Sequence, residues 1–239
     1  MLLKFSSSDL LNSRLLTADS LTPIYTICTT RFIGISRYSR GAVLRRRTAI
    51  YDAQKHDRAL AVIEWAGRVP CRIRIGTEEL TDVEDLFDGC SGVDALQKTV
   101  SIPARCGGAW TATRGSLKLE DKETGVLKSA FFRNSICFNG RFIAAPLPGL
   151  GSDLFVLKSQ SVLAEVEIIA SFFIMEIIRR NVFNVAPHAF DRHLGPYYPP
   201  SESKLRKSKS KRSLGKRTRS SSLSLDFSDI AKKLKFSSL

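Results

Sequence analysis

The chain has 239 residues, 43% apolar and 25% charged, enough apolar material to form a core without covalent staples. Its formal charge of +14 is uneven: from Ser201 onward twelve Lys/Arg stand against three Asp/Glu, so the basicity is mostly a property of a tail. Five scattered cysteines (Cys28, Cys71, Cys90, Cys106 and Cys137) form no CxxC, which speaks against a disulfide framework and a zinc site.

Residues 1–20 are rich in Ser and Leu and read as a flexible N-terminal arm. They lack the continuous apolar core of a signal peptide. With the cysteine pattern, this favours an intracellular chain, cytoplasmic or nuclear, and not a secreted one. From Leu21 the texture becomes that of strands. "IYTICTT" (24–30), "VLRRRTAI" (43–50), "ALAVIEW" (59–65) and "CRIRI" (71–75) are β-branched or alternate apolar with polar, the mark of a sheet with one wet face. The stretch around 77–108 opens with the acidic "GTEELTDVEDLFDGCSG" and reads as a loop insertion, with a short helix expected near Leu80–Phe87. Strands resume at "WTATRG", "SLKLED" and "VLKSAFF". "SICFNGRFIAAP" sets Asn139-Gly140 between apolar runs, the strongest short-range hairpin signal. "LFVLKSQ" and "VLAEVEI" complete a count of roughly nine to eleven strands, the pattern of an antiparallel barrel or sandwich.

The most apolar stretch follows, "EIIASFFIMEIIRRN" (167–181). Placed on a helix over 168–183, its residues are apolar nearly all round, with Glu176, Arg179 and Arg180 in one narrow sector. The charge-free run Ile168–Met175 falls far short of the roughly twenty residues of a membrane span. A helix buried within or across the sheet is expected, with Glu165 and Glu167 in a preceding strand. The charged sector would meet water or an ion-pair partner.

Residues 186–222 are Pro-rich, then basic and Ser-rich, and cannot bury enough apolar surface to fold alone. Lys204, Arg206, Lys207, Lys209, Lys211, Arg212, Lys216, Arg217 and Arg219 are nine cations within sixteen residues. Such density suits importin, an anionic membrane or nucleic-acid phosphates. Nucleic acid is the less favoured partner, because no aromatic residue stands among the cations to stack on bases. Ser213, Ser220 and Ser222 lie in basophilic-kinase contexts, and each phosphate would offset about two cations. In 223–239, Leu223, Phe227, Ile230 and Leu234 have the spacing of a short amphipathic helix.

The order of "ALAVIEW", "CRIRI", the hairpin around "NGRF" and "EVEIIASFFIMEIIRRN" resembles the fungal, mainly basidiomycete, domain of unknown function 6593. Members of that family look like relatives of the tubby C-terminal and LURP-one group. The resemblance covers about residues 21–185 and implies an antiparallel β-barrel threaded by a buried hydrophobic C-terminal helix. The chain departs from similar proteins where Phe142 leads into Ile143-Ala144-Ala145 in place of an aromatic pair. The family brings no established activity. Tubby-type relatives are associated with phosphoinositide headgroups, and none of their contact residues can be aligned here.

Catalytic and metal signals are sparse. His56 lies in a polar loop, and His188 and His193 lie in the Pro-rich exit without a nearby cysteine. There is no GxxxxGK[ST], GxSxG or HExxH. No catalytic residue, cofactor or metal is assigned. "RRR" (45–47) must alternate faces, so Arg45 and Arg47 share one side of their strand and Arg46 takes the other. Arg45 and Arg47, with Arg72 and Arg74, form a candidate anion patch. The acidic stretch is read as a solvated loop or a screen for the basic tail. The first functional reading is a non-enzymatic intracellular β-barrel binding module, with anionic lipid headgroups as a candidate ligand. The second is a nuclear interaction protein whose tail acts as an import signal or binds nucleic acid. The third is an enzyme without a recognisable motif.

Overall fold

The computed structural model describes residues 1–35, 42–55, 58–67, 69–80, 83–87, 91–94, 99–139, 141–147, 149–158, 161–185 and 224–225. The chain is mainly β. Its strands are β1 (Leu2–Phe5), β2 (Ser13–Thr17), β3 (Pro23–Ile35), β4 (Ala42–Asp52), β5 (Ala59–Ala66), β6 (Val69–Ile75) and β7 (Glu78–Leu80). Then follow β8 (Ser91–Asp94), β9 (Thr99–Ala104), β10 (Gly108–Ala112), β11 (Ser116–Asp121), β12 (Leu127–Phe138), β13 (Arg141–Ala144), β14 (Ser152–Leu157) and the two-residue β15 (Ser224–Leu225). Among the described residues one α-helix, α1 (Val162–Val182), lies between β14 and β15.

All strands join one antiparallel sheet in the order β15-β8-β9-β10-β11-β12-β14-β1-β2-β3-β4-β5-β6-β7, with β13 paired to β12 off this path. Among the described residues no ladder joins β7 back to the other end, so backbone hydrogen bonds do not close the sheet. Alternation decides the inner face. Thr48, Ile50, Ala61, Ile63, Trp65, Ile73 and Ile75 point inward from neighbouring strands and are buried. Arg46 is on that inner face and Arg47 on the outer one, as the alternation of "RRR" requires.

The N-terminal residues are not a flexible arm. β1 pairs with β14 and β2, and β2 pairs with β3, which places them mid-sheet. Leu3, Phe5, Leu10, Leu11 and Leu15 are buried. The serines between the two strands make a turn: Ser7 Oγ accepts from Asp9 N at 3.0 Å, and Ser13 Oγ accepts from Ser7 N at 3.1 Å. Hydroxyls that bond the neighbouring backbone give a turn the same composition as a loose linker.

The stretch 77–108 is not a loop either. It contains β7, β8 and β9, and Val100, Ile102 and Ala104 of β9 face the core. The helix expected at Leu80–Phe87 is a single 3-10 turn, Glu84–Leu86, and Val83, Leu86 and Phe87 are buried. Acidic neighbours therefore flank an apolar anchor. At the far end of the chain, Ser224 and Leu225 are extended and pair with Gly92 and Ser91, where a short helix was expected. The rest of 223–239 lies outside the described residues.

α1 begins six residues earlier than the periodicity predicts, at Val162. The Ser161 side chain caps it by accepting from Ala164 N at 3.3 Å. Glu165 and Glu167 therefore lie on the helix and not in a strand. Tyr25 donates to Glu165 at 2.6 Å, and the Arg105 guanidinium donates to Glu167 at 3.0 and 3.1 Å. From Ile168 to Arg180 the helix is buried all round. Its neighbours come from both halves of the sheet, β5 and β6 on one side and β10 and β11 on the other. Phe172 sits at the centre of an aromatic cluster, with ring centroids 4.8 Å from Phe155, 5.0 Å from Phe131 and 5.9 Å from Phe5. Trp110 donates its Nε1–H to Ser171 Oγ at 3.1 Å. No helix among the described residues is long and apolar enough to cross a membrane.

Candidate functional site

Among the described residues, the buried charges of α1 are paired with one another. Glu176 accepts from Arg179 Nε at 2.6 Å and Nη2 at 2.8 Å, and from Arg180 Nε at 2.6 Å. Burial works against the Glu176 carboxylate, but the two guanidiniums outweigh it and hold its carboxyl below the ordinary glutamate value. Arg179 also donates to the Arg114 carbonyl. The charged sector read from the sequence is thus an internal ion-pair knot, not a wet strip. Burial and Glu165 together push the Tyr25 phenol well above its ordinary range.

A second bridge joins β7 to the residue that follows β9. Arg105, just after β9, donates to both oxygens of Glu78 on β7 at 2.9 Å, and to Glu167 on α1. Its backbone N–H also donates to the Leu86 carbonyl at 3.2 Å. Side chains and the 83–87 segment therefore link β7 with the end of β9, two strands that no ladder joins among the described residues.

The four arginines of the expected anion patch do share the outer face of β4 and β6, but carboxylates are interleaved with them. Register sets Arg47 opposite Glu64, Glu64 opposite Arg72, and Arg74 opposite Glu79 on β7. Arg47 donates Nε and Nη2 to Glu64 at 3.2 and 2.8 Å, and its guanidinium lies 4.7 Å from the centroid of the Phe32 ring. Arg72 forms a two-pronged pair with Glu79 at 2.6 and 2.7 Å, which lowers the Glu79 carboxyl from its ordinary value. Arg74 Nη1 donates to the Gly76 carbonyl at 2.8 Å, and Arg45 Nη1 lies 3.8 Å from Cys71 Sγ. Two of the four cations are therefore engaged with carboxylates on the same face.

A different surface emerges around the end of β12. A cleft of about 800 Å³ runs between Ser6–Ser8 and Gly149–Asp153, with Lys4 and Arg133 on its walls. Asn134 builds it. It sits at a break in the β12–β14 register with φ of 45°, where an asparagine is tolerated better than most residues. Its backbone N–H donates to Asp153 Oδ1 at 2.8 Å. Its side chain donates to the Leu147 carbonyl at 2.9 Å and accepts from Gly149 N and Gly151 N at 3.1 and 3.0 Å. A Cβ on Gly151 would lie 2.4 Å from the Asn134 carbonyl carbon, so only glycine permits this approach. Burial raises the Asp153 carboxyl, and Arg133 and Arg180 partly offset that.

Beyond Ser135, which still meets Ser152 of β14, the last residues of β12 pair among the described residues with β13 alone, so the two continue as a hairpin. Lys4, Arg133, Asn134 and Asp153 were not expected as site residues. They lie far apart in sequence and carry no motif; the weak signal was the glycine pair in "PLPGLGSD".

The tail cations Lys204 to Arg219, Ser213, Ser220 and Ser222, and His56, His188 and His193 lie outside the described residues. Among the described residues no three His, Cys, Asp or Glu side chains gather as a metal-binding group. Comparison with family models, with curated proteins and with solved structures found no match to this chain.

Proposed function

We propose that the chain is a non-enzymatic intracellular binding module whose sheet curls into a barrel around its own helix and whose exterior docks on anionic surfaces, phosphate-bearing lipid headgroups foremost. The observation that carries this reading is the burial of α1, enclosed on all sides from Ile168 to Arg180. Phe172, Phe173, Met175 and the ion-paired Glu176 and Arg179 occupy the space where a barrel protein would hold a small ligand. Binding is therefore left to the outside, where Lys4 and Arg133 line a cleft. The barrel reading is supported by α1 touching both halves of the sheet and by Arg105 bridging β7, β9 and α1. It agrees with the resemblance to domain of unknown function 6593 and the tubby-like group. Flotation of the full chain with vesicles tests it. Association with vesicles containing phosphoinositide or phosphatidylserine, and none with neutral vesicles, is expected; no association with either sinks the reading.

A second reading rests on the nine cations of residues 204–219. They serve as an import signal, with phosphorylation at Ser213, Ser220 and Ser222 as the off-switch. A tail-deleted fluorescent fusion that loses nuclear accumulation favours it, and an unchanged distribution removes it.

A further inference from the structure

The hairpin of β12 and β13 exposes apolar side chains that the fold has no need to expose. Ile136 and Ile143 are direct cross-strand partners and are 44% and 52% exposed. Phe138 at the tip is 63% exposed, and Leu147 and Leu150, on the segment that follows β13, are each 61% exposed. Ile136 and Phe138 are two apart on one strand, so they share a face with Ile143.

This group is held in place. Asn134 fixes the Leu147 carbonyl and the Gly149 and Gly151 amides, its own carbonyl accepts from Ala145 N at 2.8 Å, and Phe142 stacks on Phe132 at 4.4 Å. A rigid base under an exposed apolar tip is the design of a docking element, since a monomer gains nothing from displaying it.

The charge around it selects the partner. Between Glu123 and Asp153 the sequence has no acidic residue and has Lys128, Arg133 and Arg141. Arg141 lies opposite Phe138 at the tip. Arg133 and, from β1, Lys4 line the cleft that Leu150 also borders. Asp153, the acid that lines this cleft, is tied to the Asn134 N–H. An apolar wedge ringed by cations is complementary to a bilayer whose surface is anionic and whose interior is hydrocarbon. A cation at the tip can lay its stem along the acyl region and keep its head among the phosphates.

We propose that this hairpin is a membrane-inserting wedge: Phe138, Ile136 and Ile143 enter the acyl boundary of an anionic leaflet, Leu147 and Leu150 follow at its edge, and Arg141, Arg133 and Lys4 meet the headgroups. The inference rests on the reading of the chain as a module for anionic surfaces and names the element that makes the contact.

Fluorescence quenching by brominated acyl chains tests it in the full chain. Trp65 and Trp110 are both fully buried, so an added tryptophan reports on its own surroundings. F138W places that reporter at the tip, and V126W, just before β12 and at the far end from the tip, is the control. With brominated phosphatidylcholine vesicles containing phosphatidylserine, the F138W signal is expected to fall about twofold and the V126W signal to stay unchanged. The double variant F138S/I143S is expected to bind these vesicles at least about tenfold more weakly, with an unchanged thermal midpoint because both side chains are exposed. Vesicle binding without quenching at F138W overturns the wedge and leaves the proposed function standing. Failure of the full chain to bind at all overturns both. A self-associated chain that F138S disperses assigns the patch to a second copy and also overturns the wedge.

Discussion

Glu176 is the residue on which the interior depends most. Arg179 and Glu176 are wholly buried, and Arg180 nearly so. Removing one partner of a buried ion pair leaves an uncompensated charge in low dielectric. Glu176→Gln is therefore expected to cost roughly 3 kcal/mol, measured by denaturant unfolding. The pH dependence has a definite sign. The folded-state carboxyl titrates below its ordinary value of 4.5, so its contribution is fully present above that value and fades as pH falls through the folded pKa. The wild-type acid limb below about pH 4.5 should accordingly be steeper than that of the Gln variant. Equal limbs would show that Glu176 does not govern acid sensitivity. Phe172→Ala, which empties the centre of the aromatic cluster, is expected to cost about 3–5 kcal/mol in the same assay.

Among the elements, α1 shows both what periodicity reveals and where it misleads. Its buried part was legible, because a helix apolar all round has to be surrounded. Its first turn was not. Glu165 and Glu167 alternate with Val166 and Ile168, which satisfies the period of a strand as well as the start of a helix. Their partners, Tyr25 and Arg105, are distant in sequence and decide the matter only in the fold. The cap at Ser161 was a local signal that the strand reading passed over. Ser161→Ala is expected to cost about 1 kcal/mol of stability and to loosen the amides of the first turn in hydrogen exchange. The strands of the middle of the chain were legible from alternation. β1 and β2 were hidden by the serines around them, and β9 by the acidic neighbourhood before it. Because β1 and β2 lie between β14 and β3, deleting residues 1–17 should abolish cooperative unfolding. A truncated chain with an unchanged thermal transition would restore the flexible-arm reading.

At the scale of the whole molecule, one large antiparallel sheet carries a buried helix that touches strands of both its halves, and side chains add links that backbone pairing does not make. Arg105 joins Glu78 and Glu167, so one residue links β7, the end of β9 and α1. Among the described residues α1 occupies the interior, and the outer surface carries a partly compensated arginine face on β4–β6 and a cationic, apolar hairpin at the end of β12. The arginine face was foreseen from "RRR" and "CRIRI". The pairing of two of its arginines with Glu64 and Glu79 was not, because it depends on how the strands line up. The hairpin turn was foreseen from Asn139-Gly140, but its projection beyond β14 depends on the break at Asn134. Hydrogen–deuterium exchange of the full chain with and without anionic vesicles tests this division most directly. The α1 amides are expected to exchange slowest in both states, and added protection is expected at residues 134–150. Protection confined to the tail at 204–219, or fast exchange throughout α1, would contradict it.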